Sequence, residues 1–266
     1  TVSRDLIRPY LGNSETLIAA KYVQIELEVE LAGSGTAGTA PKYGPLLRAC
    51  GLAETTTAGT NVVYAPVSSA MESVTLYPHI DGVLHKVTGC RGNMEITIGA
   101  KAIPVMKFSF TGLYNAPADA SLPTVDYSGF KTPVAADTSN TTGFSLFGYS
   151  GVLESLSLNL GNAVTHRSLI GSESVLITNR AVSGTAVFEA PTIATKDFFA
   201  AAIGTALGSL AITHGTVGGN KFSIASSTID LGQPTYSDSD GVQMLSMPFV
   251  AVPSTAGNDE ITFTVL

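Results

Sequence analysis

The 266-residue sequence predicts a mostly β fold of two tandem β-sandwich domains, each with one short α-helix. Three observations carry this. Apolar and polar residues alternate with period two in several segments, glycine-bearing turn signals separate them, and one order of elements occurs twice.

The first alternating segment has Ile25, Leu27, Val29 and Leu31 between Gln24, Glu26, Glu28 and Glu30. Successive strand side chains point to opposite faces, so this strand has one dry face and one wet face. A glycine-rich loop from Gly33 to Pro41 follows, then a helical stretch over Pro45–Ala53. The segment Glu54–Glu72 reads as a long loop, and both loops are expected to order only against neighbouring subunits. Asp81-Gly82 stands between Ser73–Ile80 and Val83–Thr88, and Asp-Gly suits the two positive φ angles of a type I′ hairpin. Met106, Phe108 and Phe110 then alternate with Lys107, Ser109 and Thr111. Residues 1–115 make the first domain. Residues 116–142, with Pro117, Pro123 and Pro133, read as linker.

Residues 143–266 make the second domain. It opens on a strand over Val152–Leu160 that has no counterpart in the first, whose missing strand is expected from elsewhere in an assembly. A helical stretch covers Phe198–Ala206, and Gly218-Gly219 turns between Leu210–Thr213 and Lys221–Ile224. The closing strand has Leu245, Met247 and Phe249 on one face. Pro248 lacks a backbone donor, which places it at a sheet edge or a bulge.

The repeat is visible residue by residue. A shift of 159 lays Arg8–Leu31 on Arg167–Ala190 with six identities: Arg8, Gly12, Leu17, Ile18, Val23 and Glu30. Lys21 faces Arg180. At the helices the shift falls to 153, carrying Ala49, Gly51 and Ala53 to Ala202, Gly204 and Ala206. At the hairpins it falls to 136, so the second copy lacks the counterpart of Glu54–Glu72.

Composition narrows the function. Net charge is -7 and only 13% of residues are charged, against a protein that grips nucleic acid by neutralising phosphates. The apolar run from Phe198 to Ile212 is broken by Gly204, Thr205, Gly208 and Ser209, so no membrane span is expected. The spacing of Cys50 and Cys90 fits no metal or redox motif, and they read as free thiols of a reducing cytoplasm.

Motifs that suggest chemistry dissolve on inspection. Gly33-Ser-Gly35-Thr-Ala-Gly38 has dinucleotide-loop spacing, but the preceding strand is wet on one face, and Pro41 and Pro45 oppose a helix from Gly38. Asp238-Ser-Asp240-Gly241 resembles a calcium loop, but Tyr236 and Met247 occupy ligand positions, so it reads as a polar turn. His79, His85, His166 and His214 form no metal motif, and no nucleophile elbow occurs. The expectation is a non-enzyme without catalytic residues, metal or cofactor.

The segment Pro41-Lys-Tyr-Gly-Pro-Leu-Leu-Arg-Ala-Cys-Gly-Leu-Ala-Glu54 resembles phage tail-tube (major tail) proteins. The likeness continues through Tyr64-Ala-Pro66, Ser73–Tyr77, Asp81-Gly82, Gly89–Gly92 and Phe108–Gly112, and in the second half through Leu156–Leu160, Arg180–Gly184 and the helix at Phe198. The resemblance implies a structural virion protein of a long, non-contractile tail, made in the host cytoplasm. Its domains would contribute strands to a β-barrel tube of stacked rings that carries DNA to the host without binding it specifically. Six equivalent domains per ring, two per chain, imply a homotrimer, with a homohexamer as the alternative. Tail terminator and tail-tip proteins would be partners, and no membrane is involved. A secreted β-rich adhesin or pilus-like subunit is the rival reading. Glu26, Glu28 and Glu30 emerge on one face, which is either an ordinary solvated surface or the wall of the DNA conduit.

Overall fold

The computed structural model describes residues 1–4 and 6–266. The chain begins with β1 (Val2–Ser3), β2 (Thr16–Leu17), β3 (Tyr22–Glu30), α1 (Gly44–Ala49), β4 (Leu52–Thr57) and β5 (Asn61–Pro66). Next come β6 (Val74–Leu76), β7 (His79–Ile80), β8 (Val83–Leu84), β9 (Val87–Gly99), β10 (Val105–Leu113) and β11 (Ala118–Asp119). The remainder is β12 (Thr141–Leu146), β13 (Leu153–Asn159), β14 (Ala163–Leu169), β15 (Ser172–Asn179), β16 (Ser183–Glu189), α2 (Phe198–Ile203), β17 (Gly208–His214), β18 (Phe222–Leu231), β19 (Thr235–Ser239), β20 (Val242–Ala251) and β21 (Thr262–Val265).

The main sheet runs β3-β10-β9-β13-β16-β20-β18-β21-β5-β4, with β12-β17 joining at β18. β18 is the corner. Ile229–Leu231 pairs with β20, whereas Phe222–Ala225 pairs with β21. Strands on both sides of the corner feed one core, including Ile96, Phe108, Leu158 and Phe188 from one run and Tyr64, Ile212, Ile224 and Phe263 from the other. This is a β-sandwich. Its two path ends, β3 and β4, do not pair, so the single chain closes no barrel.

Two ladders cross between residues 1–115 and 143–266. β9 pairs with β13, and β5 pairs with the final strand β21. The segment 54–72 is therefore no loop. Val62 and Tyr64 of β5 are fully buried, and β4 pairs along its whole length with β5. The period-two pattern Val62, Tyr64 was present in the sequence but was masked by the surrounding Thr and Gly residues.

The glycine-rich loop is also tied down within the chain. The Gly35 N–H donates to the Gly219 carbonyl at 2.8 Å, and the Gly33 N–H donates to Asn220 Oδ1 at 2.8 Å. A Cβ on Gly33 would collide with the Gly219 carbonyl oxygen, so close backbone approach explains this glycine. Residues 116–142 lie along the rest of the chain. β11 pairs with β8, and the Ala136 N–H donates to the Ala102 carbonyl.

The two halves share a ladder register. Glu30, Val29, Leu27 and Ile25 oppose Val105, Met106, Phe108 and Phe110. Glu189, Phe188, Ala186 and Gly184 oppose Met244, Leu245, Met247 and Phe249. One shift carries Glu30 to Glu189 and a second carries Val105 to Met244, and the whole ladder follows. The halves differ beyond it. β9 is one continuous strand beside β10, with a register shift only between Thr111 and Leu113, whereas the corresponding partner of β20 breaks between Leu231 and Thr235. β20 is internal, and Pro248 lies at that break, its carbonyl accepting from the Gly232 N–H at 2.8 Å. The missing donor of proline therefore costs no ladder bond.

Both helices have six residues, too few to persist without tertiary packing. α1 begins on a proline in its first turn, and α2 is capped by Asp197, whose carboxylate accepts from the Ala200 N–H at 2.8 Å. Phe198 anchors α2 in an aromatic cluster with Phe188 and Tyr149, ring centroids 5.1 and 5.6 Å away.

Candidate assembly surfaces

The ladder registers assemble one broad polar face. Directly opposed residues in antiparallel strands share a face. One row across six strands therefore reads Glu28, Lys107, Glu95, Asn159, Ser183, Val250. The adjacent row reads Glu30, Val105, Thr97, Ser157, Thr185, Pro248. Glu26 begins a third row with Ser109 and Asn93. The reverse side of the same strands is core. The polar side is concave, with a hollow of about 600 Å3 over β9, β13, β16 and β20.

Glu26, Glu28 and Glu30 thus stand together on the edge strand β3, and Glu95 adds a fourth carboxylate. Lys107 is the cation among these rows, with its ammonium 3.4 Å from Glu26. Both partners are exposed, so the pair contributes little, ~0–1 kcal/mol. Asn159 donates to Glu95 at 2.5 Å and accepts from Asn93 at 2.8 Å, which fixes the amides of neighbouring strands. Arg91, near one end of the face, is spent on carbonyls. It donates to Met71 at 2.8 Å, to Glu72 at 3.2 Å and to Val175. The arrangement offers hydroxyls, amides and carboxylates on a rigid sheet, with little positive charge to hold a polyanion.

The motifs singled out in the sequence fall elsewhere. Gly38 packs against Gly59, and α1 starts six residues later at Gly44. Asp240 and Gly241 have φ of 54° and 81° and turn β19 into β20, while Asp238 accepts from the Gly241 N–H at 3.3 Å. Asp81 and Gly82, at 44° and 83°, turn β7 into β8. His166 lies 2.9 Å from Glu173. His214 is buried between Thr141 and the Val134 carbonyl, at 2.9 and 3.1 Å, and burial pushes its pKa below the usual histidine value. That ring holds the chain before β12. Among the described residues no three His, Cys, Asp or Glu gather as a metal site. Cys50 and Cys90 are both free and buried, and burial raises the Cys90 thiol to about 11, so neither is poised as a nucleophile.

Sequence reasoning missed the polar clamps between the halves. The Asn162 amide donates to the carbonyls of Cys50 and Gly92 at 2.7 and 3.0 Å, and its backbone N–H donates to Asn93 Oδ1 at 3.0 Å. Arg180 donates to Glu260 at 2.6 Å and to the Val67 carbonyl at 3.0 Å. The signals for Arg180 were its alignment with Lys21 and its place at the head of the segment Arg180–Gly184, and neither names a partner.

Among the described residues both ends of the main strand path are open, and one arm stands apart. β3 has no neighbour on its outer side, and neither does β4. Among the described residues of the first twenty, β1 and β2 form a two-pair hairpin standing off the sandwich. Among the described residues no helix is long and apolar enough to cross a membrane. A family model described as phage tail tube protein matches residues 1–251. No curated protein matches the chain.

Proposed function

This chain belongs to the phage tail tube protein family, and from that premise we propose that it polymerises as stacked rings around a bore that conducts the genome to the host. The concave polar face, with Glu26, Glu28 and Glu30 at its edge, forms the wall of that bore. The observation that carries the reading is the composition of this face: Glu26, Glu28, Glu30, Glu95 and Asp230, with many uncharged polar groups, against Lys107. DNA slides past such a wall, whereas a basic lining would hold it by charge pairing.

The matching registers of β3–β10 and β16–β20 support a duplicated tube domain. On that reading three chains supply six domains, and the ring is a homotrimer of approximate sixfold appearance. The open edge of β3 supports lateral closure, because an exposed edge of nine residues is a template for association until another strand covers it. The tube belongs to a long, non-contractile tail, meeting tail terminator and tail-tip proteins at its ends.

A helical reconstruction tests the ring: three chains with two superimposable halves are expected, and six whole chains around the axis would overturn the trimer. For the bore, a Glu26→Lys, Glu28→Lys double variant is expected to assemble but to eject DNA poorly. Normal ejection by fully assembled variant tails would remove this face from the bore.

A further inference from the structure

We propose that the N-terminal arm, residues 1–20, docks beside α2 on the second half of a neighbouring copy of this chain. The inference rests on the tube reading above and specifies how adjoining subunits hold one another.

The arm is apolar and uncovered. Leu6, Ile7, Tyr10, Leu11, Leu17 and Ile18 are all exposed, and among the described residues 1–21 only Arg8 and Ser14 are even half-buried. An apolar strip of this kind on a folded chain marks an interaction surface. By the shift of 159 its sequence counterpart is the hairpin β14–β15, which pairs in a register four residues away (Thr165 opposite Leu176, against Val2 opposite Leu17) and is not free. Within one chain that hairpin lies on the first half. Val175 is buried and its carbonyl receives Arg91. Ile177 reaches within 3.4 Å of the point where a Cβ on Gly51 would stand, and Asn162 bonds the carbonyls of Cys50 and Gly92. The Tyr22 and His166 rings lie 5.1 Å apart.

The same receptor positions exist in the second half. The repeat carries Cys50 and Gly51 to Ile203 and Gly204, and carries Gly92 and Asn93 to Leu231 and Gly232. Ile203, Leu231 and Gly232, with Phe199, Ala202 and Pro234, line an open apolar groove of about 410 Å3, and Ile203 is 87% exposed. Where Asn162 fills the first half, this groove lies open in the second. The repeat also carries Ile177 to Ile18.

Geometry excludes the arm of the same chain. β14–β15 is joined to β16 and reaches over β13 to β9, two strands away on the side opposite β20. The arm is joined to β3, and the corresponding side of β3 is the free edge. It therefore points out of its own sheet. The groove beside β18 stands six strand spacings away in the other direction, about 29 Å at ~4.8 Å per strand.

An Ile18→Cys, Gly204→Cys double variant tests this. Gly204 has a φ of -72°, outside the left-handed region, and a Cβ there requires only a small shift from the Ala200 carbonyl oxygen 3.3 Å away, and the native thiols are buried and silent. In tubes verified by electron microscopy, a short bis-maleimide is expected to join chains through this pair and through neither single variant. Separately, a Leu17→Asp, Ile18→Asp double variant is expected to keep its melting temperature and to raise the assembly concentration at least about a hundredfold. Tubes that form without the cross-link, or that form equally well with both aspartates, would overturn the arm while leaving the tube intact. A native chain that forms no tubes under any assembly condition would overturn both.

Discussion

The two six-residue helices occupy matching places in the two halves, yet one is roofed and the other is open. α1 buries Leu47 and Ala49 and is flanked by Met71 and by Glu72, which pairs with Arg48 at 2.9 Å. α2 buries only Phe198. The roof comes from residues that the second half lacks and from the hairpin β14–β15 that the second half lends to the first. One set of surfaces is thus satisfied inside the chain, and its equivalent beside α2 is left open. On the proposed duplication, half of the seams would be intramolecular contacts, which form without the entropic cost of bringing two chains together.

The seam inside the chain should be expensive to cut, and its counterpart cheap. Arg180 is buried with Glu260, while Lys21, its equivalent, is exposed over the Tyr114 ring at 5.4 Å. Arg180→Ala frees the Val67 carbonyl across the seam and also leaves the buried Glu260, in the same half as Arg180, without its cation, and a loss of ~3–5 kcal/mol is expected in denaturant unfolding of the isolated subunit. Lys21→Ala should cost under ~1 kcal/mol. Equal losses would break the distinction between the two seams.

A smaller effect is expected at Asn162. Asn162→Ala abandons the carbonyls of Cys50 and Gly92 and should cost ~1–3 kcal/mol, whereas Ser3→Ala, at the equivalent position of the exposed arm, should leave the melting temperature of the subunit unchanged. A Ser3→Ala loss as large as that of Asn162→Ala would mean that the arm is already docked within its own chain.

The smallest effect is a pH dependence confined to the second half. His214 is buried, whereas His79 and His85 of the first half are only partly covered. Desolvation lowers the folded-state pKa of His214 below 6.5, partly offset by the Val134 carbonyl and by Asp137. The unfolded chain then binds the proton more readily, so the contribution is complete above pH 6.5 and is lost as pH falls below it towards the folded value. Melting curves between about pH 7.5 and 5.5 should therefore decline less steeply for His214→Gln than for the native chain. Parallel declines would assign the pH response to other groups.

Much of this was readable in advance. The wet face of β3, the hairpin turns at Asp81-Gly82 and Asp240-Gly241, both helices and the break at Pro248 all follow from local rules. Period two assigns a side chain to a face, and positive φ favours Gly, Asp or Asn. The likeness of Met106, Phe108 and Phe110 to Leu245, Met247 and Phe249 was also legible, because period-two alternation puts each set on one face. The acidic stripe was likewise legible as a stripe.

What the stripe faces was not. Alternation places Glu26, Glu28 and Glu30 on the outside of one strand. Only the crossing of β9 onto β13 extends that side into a polar face six strands wide, hollowed over β9, β13, β16 and β20. The pairing of β5 with β21, 199 or more residues apart from Tyr64–Phe263 onward, likewise turned a supposed loop into part of the sheet. The clamps of Arg180 and Asn162 belong to the same class. Local sequence fixes which groups a residue can offer and the direction in which its strand presents them. The partner is decided by which distant backbone comes alongside, and that depends on how all the strands share one core.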